Sequence, residues 1–140
     1  MADYYTKFSF IVFGEYLEVL QKALGALEEN DPLLNEIAIE NPDVTACDFE
    51  LQDFELNTKG LWLWSEDFGD IPRIINTIAW WQRKYKKTDI VSFEWCNTCS
   101  KPRTDGFGGG AVVIYKGNSK FINTYNWICK ETDKIKKRQK

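Results

Sequence analysis

The sequence predicts an α+β domain, a ferredoxin-like split β-α-β sandwich with the element order β-α-β-β-α-β-β-α, an antiparallel sheet and helices mainly on one face. Three observations carry that expectation. Two stretches place apolar residues at helical spacing, and runs with strand character separate them. A composition of 44% hydrophobic and 15% aromatic residues over 140 positions is enough for one core. No repeat, long linker or low-complexity segment divides the chain, so residues 1–135 read as a single domain and 136–140 as a basic tail.

Taken in order, Tyr4 to Phe13 is an apolar, aromatic and β-branched run that suits a first strand. After Gly14, the residues Leu17, Leu20, Leu24 and Leu27 recur at helical spacing, and Asn30-Asp31-Pro32 stops the pattern. Leu33 to Asp43 is ambiguous; Leu34, Ile37 and Ala38 hint at a short helix before Asn41-Pro42-Asp43 turns the chain. Cys47, Phe49 and Leu51 alternate with acids as in a half-buried strand, and the shift of parity at Phe54 and Leu56 suggests a bulge or turn near Gln52. Lys59-Gly60 turns the chain into Leu61-Trp62-Leu63-Trp64, apolar on both parities, hence a strand covered on both faces or covered on one and sticky on the other.

Asp70 can cap the second helix, with Pro72 in its first turn and Ile71, Ile74, Ile75, Ile78, Trp81 and Tyr85 as the buried stripe. Trp80 lies about 100° round from Trp81, which places it at the stripe's edge as a candidate exposed anchor for a protein partner. Ile90 to Trp95 and Ala111 to Tyr115 read as two strands joined by a long loop, and Phe121 to Lys140 contains a terminal helix.

Charge is divided unevenly. Residues 1–70 hold three lysines against sixteen carboxylates, a balance of −13, whereas residues 71–140 hold fifteen cations against five acids, a balance of +10. From Ala23 to Thr58 there are ten carboxylates and no basic residue. Kept apart, the halves make a dipole that steers a charged partner; placed side by side, they neutralise each other. The chain's start lacks the basic head and apolar stretch of a signal peptide, and its longest apolar runs fall far short of the roughly 20 residues of a membrane helix, so a cytoplasmic protein is expected.

The stretch EWCNTCSKPRTDGFGGG, Glu94 to Gly110, carries the unusual chemistry. Cys96 and Cys99 have the C-x-x-C spacing of two zinc ligands or a redox disulfide, but zinc takes four ligands and the chain has no histidine. Only Cys47 and Cys129 are left to complete a site, and both sit in apolar patterns where a free thiol behaves as a small buried hydrophobe. Lys101 and Arg103, with Gly106, Gly108, Gly109 and Gly110, suit a backbone that approaches an anion or phosphate. The spacing is neither a Walker loop nor a dinucleotide fingerprint. The alternative is a wide hairpin with solvated cations, in which Asp105 pairs with Arg103.

Familiar catalytic routes have little support, because without histidine there is no Ser-His-Asp triad, Cys-His dyad or near-neutral imidazole. Glu66, Asp67 and Asp70 form a carboxylate cluster that suits either a divalent cation or, more simply, a solvated turn and helix cap. The expectation is a protein that is not an enzyme and needs no cofactor.

The segments YTKFSF (Tyr5–Phe10), LWLWSED (Leu61–Asp67), EWCNTCSKPRTDGFGGGAVVI (Glu94–Ile114) and NTYNW (Asn123–Trp127) together resemble a family of small uncharacterised proteins of phages, prophages and other mobile elements. The resemblance spans most of the chain. It implies a setting rather than an activity, since small proteins of such origin often bind a host enzyme or an immune component such as a CRISPR effector. The leading expectation is therefore a non-enzymatic accessory protein that inhibits a host or defence-system protein by stoichiometric binding. Its candidate surfaces are the acidic stretch between Glu28 and Glu55, with Asp48, Glu50, Asp53 and Glu55, or the loop with Lys101 and Arg103, together with Trp80. The rival is a small-ligand module that holds a nucleotide or cyclic nucleotide through Lys101, Arg103, Asp105 and the glycines; a third reading is a metal site on Cys96 and Cys99. Neither a membrane partner nor direct binding of nucleic acid is expected.

Overall fold

A computed structural model describes residues 3–25, 32–40, 53–67 and 69–139. Its elements are β1 (Tyr4–Val12), α1 (Leu17–Leu24), α2 (Pro32–Glu40), β2 (Asp53–Leu56), β3 (Leu61–Ser65), α3 (Ile71–Lys84), β4 (Val91–Cys99), β5 (Gly108–Tyr115), β6 (Asn118–Asn123) and α4 (Thr124–Arg138). The strands form one open sheet in the order β2-β3-β1-β4-β5-β6, and every pairing is antiparallel. The α+β class is as expected.

The full strand order departs from the expected ferredoxin-like sandwich. The described chain has six strands and four helices where five and three were expected. The additional helix is α2, the ambiguous segment, which packs on α1 and α3. The additional strand is β6, which pairs with β5 from Gly110↔Asn123 to Tyr115↔Asn118. All of β6 is exposed or half-exposed, so no burial period marks it in the sequence. Helix α4 runs into the expected basic tail. Asn123 caps α4 by accepting a hydrogen bond from the Asn126 amide, and Lys136, Lys137 and Arg138 form its last turn, where cations suit the helix dipole. The strand expected over Cys47–Gln52, with its bulge, lies outside the described residues.

One face of the sheet carries the core. Strand alternation turns Phe8 and Val12 of β1, Leu61 and Leu63 of β3, Val91 and Phe93 of β4, and Val112 and Ile114 of β5 inward. Against them α3 sets Ile71, Ile74, Ile75, Ile78 and Trp81, the stripe read from its periodicity, while α1 adds Leu20, Ala23 and Leu24. Each of the Val, Leu, Ile and Phe side chains among them, fully buried, contributes about 1.5–3 kcal/mol. Asp70 caps α3 by accepting from the Arg73 amide at 3.1 Å.

Trp80 overturns the expectation of an exposed anchor. It is only 2% exposed, because α1 and α2 both pack on α3 and cover more than the stripe that faces the sheet. Next to it, Gln82 is buried and bonds three segments: its amide nitrogen donates to the carbonyls of Ile114 and Asp89, and its oxygen accepts from the Gly117 amide. Gly117 stands at φ +81°, and a Cβ there would lie 2.1 Å from Arg83 Cγ, so this turn requires glycine.

Among the described residues, the other face of the sheet is largely bare. Trp62 and Trp64 lie on it, half-buried and stacked with ring centroids 4.0 Å apart, and Trp62 Nε1 donates to Ser9 Oγ. Of the two readings of Leu61–Trp64, the structure adopts the one covered on one side and sticky on the other.

Candidate binding surface

Nearly half of the Cys96–Gly110 stretch is strand. β4 continues through Cys99 and β5 begins at Gly108, with the register running on through Trp95↔Gly110, Cys96↔Gly109 and Asn97↔Gly108. Only residues 100–107 form the loop. Three positions apart on one strand, Cys96 and Cys99 project from opposite faces of the sheet, so the pair cannot close on one ion. Among the described residues no group of three or more potential ligands could hold a metal. Cys96 is exposed, Cys99 and Cys129 are half-exposed, and all three are free thiols.

The glycines are explained by packing. A Cβ on Gly109 would lie 2.4 Å from the Trp95 carbonyl oxygen, one on Gly110 would lie 2.3 Å from the Trp95 ring, and one on Gly106 would lie 2.4 Å from Cys99 Cβ. Two of their amides are already used, since Gly109 donates to Thr124 Oγ1 and Gly106 to the Arg103 carbonyl. Gly108, at φ +152°, opens β5. Lys101, Arg103 and Asp105 are exposed.

Asp105 and Gly106 do line a groove of about 660 Å³ at the end of β1 and β4. Asp67 and Asp70 line it too, together with Tyr4, Tyr5 and Phe107, whereas Lys101 and Arg103 do not. Three carboxylates make this a poor place for phosphate. Burial raises the Tyr5 phenol above its ordinary value, and the charges of Asp3 and Asp67 push it further in the same direction.

Of the acidic candidates, Asp48 and Glu50 lie outside the described residues. Asp53 pairs with Trp64 and Glu55 with Trp62 on the edge strand β2, where Glu55 is exposed.

A surface that the sequence reading left out stands at the opposite edge. Strand alternation sends Val113 and Tyr115 of β5 and Ile122 of β6 to the bare face, and they are 48%, 43% and 65% exposed. They line a shallow groove of about 740 Å³ whose rim carries Lys116 and Lys120. A second groove shares Ala111 and Ile122 with the first and continues to Trp127 of α4, itself 59% exposed. The apolar strip is therefore continuous from Tyr115 to Trp127. Exposed apolar surface of this extent is characteristic of an interaction site. The available signal was Ala111–Tyr115 being apolar on both parities, the same pattern as Leu61–Trp64.

No helix among the described residues is long and apolar enough to cross a membrane. Comparison of the chain with family models, with curated proteins and with solved structures gives no match.

Proposed function

We propose that this chain acts by stoichiometric binding to a protein partner and catalyses no reaction. The reading is supported chiefly by the apolar strip of Val113, Tyr115 and Ile122 on the bare sheet face, with Lys116 and Lys120 at its rim, which continues to Trp127 of α4. Such a surface fits a partner with an apolar centre and an acidic rim. The sequence resemblance supplies the setting: a cytoplasmic accessory protein of a phage or mobile element whose target is a host or defence-system protein. The arrangement β2-β3-β1-β4 with α1 and α3 further supports reading the first part of the chain as a split β-α-β core, to which β5, β6 and α4 are added.

The test is affinity capture from host cells with the wild-type chain and with Ile122→Asp, followed by binding measurements on the captured protein. A partner held by the wild type is released by Ile122→Asp and weakened by Lys116→Glu with Lys120→Glu. Undiminished binding by both variants overturns the assignment of this surface.

The nucleotide reading of the loop draws on Lys101 and Arg103 alone, because Trp95 and Cys99 occupy the glycines' open sides and the adjoining groove is acidic.

A further inference from the structure

Helix α4 has fifteen residues and buries none of them. It packs mainly on β5 and β6, and beyond its first turns it stands in solvent. A helix of this length is marginal in water unless an apolar face is covered. Its apolar face is nonetheless turned outward, with Tyr125 at 74%, Ile128 at 56% and Ile135 at 52% exposure, and Thr132 is exposed as well. These four residues follow the 3-4-3 spacing of a coiled-coil seam, with Tyr125 and Thr132 at a, Ile128 and Ile135 at d.

We propose that a second copy of this chain covers the seam, α4 pairing in parallel with α4 about a two-fold axis. The flanking charges favour this occupant and this orientation. With the seam so assigned, Glu131 falls at g and Lys136 at e, and in a parallel pair each g residue meets the e residue five positions on in the other helix. Glu131 thus faces Lys136 of the second copy, and the symmetry repeats the contact. An antiparallel pair centred on the same seam brings Glu131 toward its own copy, like charge against like. Within its own helix Glu131 uses one carboxylate oxygen on Lys134 Nζ at 3.1 Å, which leaves the other for this contact.

The area sets the strength. Tyr125, Ile128 and Ile135 expose roughly 350 Å² between them, and Thr132 with the stems of Glu131 and Lys136 raises the patch to roughly 600 Å² per copy. That lies at the small end of specific interfaces, so the dimer is reversible and depends on concentration. The proposal does not depend on the Val113–Trp127 strip, whose residues lie off the seam.

Sedimentation of the full chain over a concentration series tests it. The mass rises with concentration from 16.3 kDa toward twice that value. Ile128→Asp with Ile135→Asp keeps the mass at one chain throughout, and an unchanged thermal melt shows that the fold survives, as both side chains are exposed in the single chain. Lys136→Glu weakens the dimer about three- to ten-fold, and the double exchange Glu131→Lys with Lys136→Glu restores it. A wild-type chain that stays single at every concentration overturns the proposal and leaves the seam to a different protein. A dimer that survives the two aspartates, or a charge exchange that fails to restore, overturns it as well.

Discussion

The indole of Trp95 lies across Gly110 so closely that a Cβ there would stand 2.3 Å from the ring and 2.5 Å from the Ile122 carbonyl oxygen. Gly110 is thus a packing residue held between β4 and β6. Gly110→Ala is expected to destabilise the fold by about 1–3 kcal/mol, read as a melting point lowered by several degrees. Lys101→Ala and Arg103→Ala, both at exposed positions, stay within about 0.5 kcal/mol of wild type. A glycine loop evolved for a ligand predicts instead that the two cation variants lose heat of binding in a calorimetric screen of nucleotides.

Gln82 ties the end of α3 to Asp89, Ile114 and Gly117. Gln82→Leu keeps the volume but leaves buried backbone groups without their bonds, at about 1–3 kcal/mol for each unsatisfied group. Urea unfolding is expected to show a lower midpoint with an unchanged slope.

The thiols are expected to behave as two separate groups. Cys96 is exposed and reacts readily with a thiol reagent, while half-buried Cys99 reacts more slowly. Added zinc leaves the melting point of both the wild type and Cys96→Ser unchanged, since side chains on opposite sheet faces cannot share an ion. A zinc-dependent rise in the wild type alone would show that the two sulfurs meet.

Alkaline stability follows from Lys84, whose hydrogen bond to Glu36 raises its ammonium above the ordinary 10.5. A base raised on folding contributes fully below its unfolded value and loses that contribution as pH climbs through the folded one. The melting point therefore begins to fall near pH 10.5, and Lys84→Gln removes part of the fall. The Tyr5 phenol acts in the same direction. The unfolded chain ionises first, near 10.0, so the folded form loses ground from that pH upward.

What the sequence made legible is what burial stamps on it. The α3 stripe is periodic because one side of it is dry, while β1 and β3 are legible as short apolar and aromatic runs. Elements without a dry side left no period: β6 is exposed or half-exposed along its length, and the outer half of β4 looked like loop because Asn, Thr and neighbouring glycines are weak strand formers. Gly109 and Gly110 resembled a ligand cradle because the partner that requires them, Trp95, is recognisable only from the register. Trp80 was misplaced for a similar reason, since α1 and α2 pack on α3 as well and the sheet-facing stripe is not the helix's only covered side.

Lys120, midway along β6, has a further effect. β6 ends the sheet, so the side of its backbone away from β5 is a template for strand addition, next to two exposed apolar residues, Phe121 and Ile122. A cation at the centre of that edge would have to be stacked against its own image in any fibril-like pairing of identical edges, and the repulsion makes such growth unfavourable. The lysine thus guards against aggregation at the margin where the chain is stickiest.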